Sequence, residues 1–530
     1  MRDSHNPHRR RRVVAALGAL TLSLIGVTWS AAPASADDYG NVDNTKAGSI
    51  IIHKHVHQTS TSVTASPDGS ASIPSAGISG VEFTAYRVTG IDLTTKAGWD
   101  AVATLTPTCS PPAGTTVAGA ESTGAGGLAT ISLPAGSAVG AYIVCETRSP
   151  SNVVDKAQPF VVTIPFSYQR TVSGSPVEGW LYNVNVYPKN GVADVSKTVA
   201  EQTNLGLGAT ASFPVTTDIP KIASNANFLY YWVQDPMDSR LTGATVSSVQ
   251  LAGGTNVPNA GNVNYTVTTS ATNVVSVQFT TAGLAWLKTH APDRLVTTFT
   301  GTVNGLGTDG VINNTAYFGT KTAAQDDPPD SPQAPPSDPT TSPDTNPSPV
   351  LVTQRWGDLK LAKVDRGSSS AVGLAGAKFL VYAADPAYVA SGDCTSVVTT
   401  GSPVVVNGVG TSANPFVSGD NGALTIAGLF VSDSVHATID ASQRCYVVEE
   451  IEAPAGFALP AGDSAKTAVT VKAGVSAAVE KSIPNTRLSG VRLPMTGSDG
   501  LVVFSVVGAG LVALGLAVAV LSRRRRSQTA

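Results

Sequence analysis

The C-terminal end constrains this chain more than any other stretch. Residues 501–521 form an almost unbroken apolar run with no charge inside it, and four arginines follow at 523–526. About twenty apolar residues suffice to cross a bilayer as a helix. Positive charge just past such a run holds that end in the cytoplasm. The N-terminus agrees: arginines at 9–12, an apolar stretch over 13–29 and Ala34-Ser35-Ala36 have the three parts of an export signal with its cleavage site. The mature chain is expected to start at Asp37, outside the membrane.

Directly before the apolar run stands Leu493-Pro494-Met495-Thr496-Gly497, followed by the polar step Ser498-Asp499-Gly500. Pentapeptide, apolar span and basic tail in this order resemble the cell-wall sorting signal of Gram-positive surface proteins. An ordinary tail anchor is the plainer alternative. The resemblance implies that a sortase cuts between Thr496 and Gly497 and passes the Thr496 acyl group to an amine.

The 530 residues, less the two end signals, suggest about three domains. Charged residues make up 13% and the net charge is −3, so nothing points to nucleic acid. The mature region is rich in Gly, Thr, Val, Ser and Pro, and helical periodicity is hard to find in it. That pattern predicts an all-β chain of tandem immunoglobulin-like sandwiches. The expected divisions are a signal peptide over 1–36 and sandwiches over 37–190, 191–321 and 350–490. A Pro-rich linker over 322–349, or a long excursion from one domain's edge, separates the last two. The sorting signal takes 491–530.

Four cysteines in an exported chain favour disulfides. Keeping partners within one domain selects Cys109–Cys145 and Cys394–Cys445. No C-x-x-C spacing suggests a structural metal. His53, His55 and His57 share one face of the first strand, which reads as a solvated face rather than a metal site. Neither a metal nor a cofactor is expected.

Ionisable residues recur in apolar rows. In the first domain Lys54 follows Ile50 and Ile52, Glu146 follows Tyr142 and Val144, and Asn190 continues the parity of Tyr182, Val184 and Val186. Asn183 is the other candidate there, because Pro188 interrupts that parity. In the second domain Lys197 follows Ala193 and Val195, Asp235 follows Tyr231 and Val233, and Asn314 stands between Ile312 and Ala316. In the third, Lys363 follows Leu359 and Leu361, Glu450 follows Tyr446 and Val448, and Asn485 is in row with Val479 and Ile483. Lysine is almost never fully buried without a partner. A lysine on the first strand, an acid on a middle strand and an asparagine on the last can react together. Burial favours the neutral amine and the protonated acid, so the amine can attack the asparagine side-chain carbonyl while the acid polarises it and moves protons to the leaving ammonia. The product is a Lys–Asn isopeptide bond. A buried ion pair without a covalent bond is the alternative, above all in the first domain. A tie between terminal strands would carry force past hydrogen bonds worth only about 1 kcal/mol each.

Trp180 to Asn190 reads W-L-Y-N-V-N-V-Y-P-K-N, which resembles the pilin motif of shaft subunits of sortase-assembled pili. Tyr446 to Phe457 resembles the E-box of the same family, with Val448, Ile451 and Phe457 as departures. The chain is similar to type 1 fimbrial major subunits of actinobacteria. That resemblance implies CnaA- and CnaB-type domains with isopeptide bonds, with Asp235, Glu450 and Glu146 as the promoting acids. It implies Lys189, whose parity points to solvent, as the amine that accepts Thr496 of the next subunit. It also implies a pilus-specific sortase, a housekeeping sortase that attaches the base to peptidoglycan, a tip adhesin and a host surface receptor. The rivals are a monomeric wall-anchored adhesin or pilus tip subunit, and a wall-anchored enzyme. The last lacks any nucleophile elbow, zinc motif or phosphate loop.

Overall fold

The computed structural model describes residues 42–57, 66–109, 113–172, 175–324, 331–343, 346–347, 351–368, 372–436, 438–489 and 498–526. The export signal and the pentapeptide ending at Gly497 lie outside the described residues. The described chain is built mainly of strands.

In the N-terminal part, Gly48–His53 runs parallel to Asn183–Val186 and antiparallel to Leu128–Leu133. A second sheet orders Thr115–Ser122, Glu82–Val88, Gly140–Arg148 and Phe160–Ile164. Alternation directs the packing: Ala129, Ile131 and Leu133 point inward along one strand while the residues between them are exposed. Ile50, Ile52, Phe83, Tyr142 and Val184 fill the space between the sheets. The long first strand expected over residues 49–57 is interrupted at Lys54 and resumes as His55–Val56, which pairs with Lys189–Val192.

The middle part packs a sheet of Val195–Lys197, Thr210–Asp218, Arg294–Val303 and Leu241–Leu251 against one containing Tyr265–Thr269, Val274–Phe279, Ala226–Pro236 and Tyr317–Ala324. The Pro-rich segment lies along the second of these sheets. Gln333 N–H donates to the Leu229 carbonyl at 3.4 Å, Gln234 donates to the Pro336 carbonyl at 2.8 Å, and Asn346–Pro347 adds a short edge strand beside Tyr317 and Phe318. This cover explains why Trp232 and Gln234 are buried although Tyr231, Val233 and Asp235 already face the core.

In the C-terminal part Val352–Asp365 is the central strand, flanked by Ala423–Asp433 and, in parallel, by Lys481–Asn485. Lys378–Ala384, Gln443–Glu452 and Lys466–Lys472 form the facing sheet. One hydrophobic cluster runs through the middle and C-terminal parts, with Leu207 packed between them. Val479 is exposed and outside the last strand, contrary to its expected place in row with Ile483 and Asn485. Ser498–Arg526 is a helix whose stretch Ser505–Arg524 is exposed throughout and is long and apolar enough to cross a membrane.

Candidate functional site

Three clusters of lysine, acid and asparagine lie inside the sandwiches. In the C-terminal one, alternation along Val352–Asp365 turns Leu359, Leu361 and Lys363 inward. The parallel strand Lys481–Asn485 sets Ile483 opposite Lys363 and Asn485 opposite Asp365. Lys363 Nζ donates to Asn485 Oδ1 at 2.6 Å and to the Ile483 carbonyl at 2.9 Å. Asn485 Nδ2 donates to Glu450 Oε1 at 2.6 Å, and Glu450 Oε2 lies 3.5 Å from Lys363 Nζ. Burial pulls the Lys363 amine below its ordinary value against the attraction of Glu450. Burial likewise pushes Glu450 up, with Lys363 opposing. Both shifts favour neutral partners.

The N-terminal cluster has the same plan. Lys54, at the strand break, donates to Glu146 Oε2 at 2.9 Å and makes a short contact to Asn190 Oδ1. Asn190 Nδ2 donates to Glu146 Oε1 at 2.7 Å. Burial lowers the Lys54 amine to about 8, against the attraction of Glu146. Asn183, the other candidate, pairs with Ser49 and accepts its hydroxyl at 2.8 Å, away from Lys54. The break between Asn183–Val186 and Lys189–Val192 resets the parity that Pro188 interrupts, and Asn190 ends up buried.

A sequence repeat underlies this likeness. Ile78-Ser-Gly-Val-Glu-Phe-Thr-Ala-Tyr86 and Leu374-Ala-Gly-Ala-Lys-Phe-Leu-Val-Tyr382 share their glycine, phenylalanine and tyrosine spacing, as Tyr142-Ile-Val-Cys-Glu146 and Tyr446-Val-Val-Glu-Glu450 share theirs. Each acid pairs with the phenylalanine of its repeat, Glu146 with Phe83 and Glu450 with Phe379. The lysine carbonyls accept from Ile78 N–H and Leu374 N–H. Gly127 and Gly422 pass so close that a Cβ on either, at positive φ, would lie about 2 Å from the Lys54 or Lys363 carbonyl oxygen. Comparing the two halves would have singled out these glycines from sequence.

The middle cluster is built differently. Lys197 Nζ makes a short ion pair with Asp235 Oδ2 and lies 5.1 Å from the Phe213 ring centroid. Asn314 Nδ2 is 3.5 Å from both Asp235 Oδ2 and Met237 Sδ. Among the described residues, Asn314 Oδ1 and Asp235 Oδ1 have no hydrogen-bond partner. Burial lowers the Lys197 amine and raises the Asp235 carboxyl, each opposed by the other's charge. The three side chains come from three sheets. Asn314 is not on the last strand as expected. Its strand, Val311–Asn314, pairs with Val352–Arg355, and the chain then crosses at Thr315 and Ala316 to return as Tyr317–Ala324.

Lys189 precedes Asn190 on one strand and turns to the opposite side. It is partly exposed while Asn190 is buried, and partial burial lowers its amine from the ordinary value. Leu493, Pro494, Met495, Thr496 and Gly497 lie outside the described residues. Both disulfides are present, Cys109–Cys145 and Cys394–Cys445. The three histidines are not a solvated row; each is half-buried with its own partner. His53 stacks on Tyr187, His55 Nδ1 contacts the Ser75 carbonyl, and His57 faces Asp155 at 3.2 Å.

Residues 45–191 match the family of the Gram-positive pilin subunit D1 N-terminal domain. The chain is 38% identical to fimbrial subunit type 2 of Actinomyces naeslundii over 97% of its own length and 96% of that protein's. It is 29% identical to fimbrial subunit type 1 of Actinomyces viscosus over 98% of its length and 99% of that protein's. The full-length major pilin SpaD of Corynebacterium diphtheriae shares its fold, with a TM-score of 0.62 over 85% of this chain and 99% of that one at 24% identity.

Proposed function

Because the chain belongs to the Gram-positive pilins as a major fimbrial subunit, we propose that it forms the shaft of a covalent surface pilus. A pilus-specific sortase joins the Thr496 acyl group of one subunit to Lys189 Nζ of another, with release of the segment that begins at Gly497. A housekeeping sortase attaches the base of the fibre to peptidoglycan, and a tip adhesin and the shaft together meet the host surface. The observation that carries this reading is the division among the lysines. Lys54, Lys197 and Lys363 are buried beside an acid and near an asparagine, whereas Lys189 opens outward next to Asn190.

The three buried clusters are read as centres that each react once to form Lys54–Asn190, Lys197–Asn314 and Lys363–Asn485 bonds. The neutral amine attacks the asparagine Cγ, the Nζ–Cγ bond forms, the Cγ–Nδ2 bond breaks, and ammonia leaves. One proton passes from Nζ through the carboxyl group to Nδ2. The placement of Glu146 and Glu450 supports this route, since one oxygen of each faces the amine and the other the amide nitrogen. The packed site supplies proximity.

The test is a denaturing gel of boiled cell-wall extract. A ladder of high-mass species that collapses to monomer in Lys189→Ala is expected. A single band in both strains would overturn the shaft reading.

A further inference from the structure

Among the described residues, the N-terminal cluster has a backbone donor on its asparagine oxygen that its C-terminal counterpart does not show, and the role argued for it rests on the isopeptide reading above. The backbone N–H of Ala157 donates to Asn190 Oδ1 at 2.8 Å and approaches Glu146 Oε2 at 3.2 Å. Ser149 Oγ–H donates to Glu146 Oε1 at 2.5 Å. A backbone N–H can only face the oxygen of the amide, so it also fixes which way Asn190 is turned. As Lys54 Nζ attacks Cγ, negative charge builds on that oxygen. A donor already aimed at it is well placed to stabilise that charge.

The segment that carries both groups, residues 149–158, is held largely by the middle part of the chain. Asp155 is buried, accepting Ala223 N–H at 2.9 Å and Thr322 Oγ1–H at 2.8 Å. Thr322 Oγ1 is also 3.0 Å from the Val154 carbonyl. Asn152 Nδ2 donates to Asp194 at 3.0 Å, Ala193 N–H donates to the Asn152 carbonyl at 2.9 Å, and Asn346 Nδ2 donates to the Ser151 carbonyl at 3.0 Å. Val154 belongs to the hydrophobic cluster of the middle part.

We propose that Ala157 N–H is the oxyanion donor for the Lys54–Asn190 bond, and that Asp155 and Thr322 are positioning residues that make this bond form only once the middle domain has docked. Lys54, Asn190 and Glu146 then meet early, and the last component arrives with the neighbouring domain. The atoms balance as in the reaction above: the amine proton ends on the departing ammonia, and Ala157 keeps its own.

The experiment is a pulse-chase of the full-length chain, mapped by mass spectrometry for each of the three cross-links. Ala157→Pro removes the donor. It is expected to slow Lys54–Asn190 formation about 100-fold, the usual effect of losing one oxyanion donor. Thr322→Val is expected to leave much of that link unformed, and Thr322→Ser to restore it. The Lys197–Asn314 and Lys363–Asn485 links should form in every variant, a selectivity that general misfolding would not give. If Ala157→Pro fails to fold, seen as loss of the Cys109–Cys145 disulfide, Thr322→Val decides alone. Formation of Lys54–Asn190 at the wild-type rate in Thr322→Val, or in a folded Ala157→Pro, would overturn the inference while leaving the isopeptide reading intact. Absence of the link from the wild-type chain would remove both.

Discussion

Asn190 is held against Lys54 by strand register: it pairs with Val56, two residues beyond the lysine. Asn485 pairs with Asp365, again two residues beyond Lys363. The parallel pairing of an early strand with the closing strand produces this offset in both sandwiches. It places amine and amide in one buried cell, where the acid from the facing sheet reaches both.

If these cells are reaction centres, the acid is needed for linkage while the lysine and asparagine alone are insufficient. Glu450→Gln keeps the volume and an acceptor but cannot relay a proton. In this variant the full-length chain should regain the mass of one ammonia, localised to Lys363 and Asn485, with the other two links unchanged. The link closes a segment with a sequence separation of 122 residues. Losing it should remove about 5 kcal/mol in the chain-entropy model, seen calorimetrically as a lower melting temperature of the C-terminal transition. A chain that keeps its ammonia deficit in Glu450→Gln would rule out this role for the acid.

The lowered Lys54 amine has a consequence for stability in a chain that cannot link. Asn190→Ala removes the electrophile and retains Glu146 and the burial that shifts Lys54. The folded amine titrates near 8 and the unfolded one near its ordinary 10.5. Below pH 8 both states hold the proton, so Lys54 adds no pH dependence. Between about 8 and 10.5 the unfolded state holds more protons, so stability should rise with pH, by about 3 kcal/mol if the full shift is expressed. Denaturant melts across that window, compared with Lys54→Met/Asn190→Ala, isolate the effect. Identical slopes in the two variants would mean that the buried amine is not shifted.

Much of this arrangement was legible in the sequence because strand alternation is a strict period of two. Lys363 in row with Leu359 and Leu361, or Asp235 in row with Tyr231 and Val233, can face only the core. The Asn314 strand shows the limit. Parity made Asn314 inward, but which sheet its strand joins depends on Val352–Arg355, far along the chain. Ala157 had no local signal, because a backbone donor is placed by the path of its loop and leaves no mark in residue type. The histidine row misled for a similar reason: His57 looked solvated until Asp155 was brought against it by Val153–Asp155 pairing with Gly191 and Val192.

In the middle cluster, charge burial and cross-linking can be separated. Lys197→Met leaves Asp235 buried without its cation, a loss of about 3–5 kcal/mol for broken buried pairs. Lys197→Met/Asp235→Leu removes both charges and the link together. The double variant is therefore expected to melt at a higher temperature than the single one, although neither can form the bond. A double variant no more stable than Lys197→Met would show that Asp235, left without its cation, carries no such penalty.

The positions of the links relative to Lys189 determine which of them bears load. In a fibre joined from Thr496 to Lys189, tension enters each subunit at Lys189 and leaves at Thr496, so residues before 189 are outside the path. The Lys54–Asn190 link then secures the strand that receives the load, whereas Lys363–Asn485 is a covalent shunt across the C-terminal sandwich. Pulling fibres of Asn485→Ala should free the 122-residue separation between these positions, less the 51 residues that the Cys394–Cys445 disulfide keeps closed, a gain of about 250 Å per unfolded domain at about 3.3–3.6 Å per residue. Asn190→Ala fibres should show no such step, because the chain between Lys54 and Lys189 is never in tension. Equal extension in the two variants would place the load path elsewhere, and a C-terminal domain in Asn485→Ala that resists as the wild type does would show that its hydrogen bonds and the Cys394–Cys445 disulfide suffice without the link.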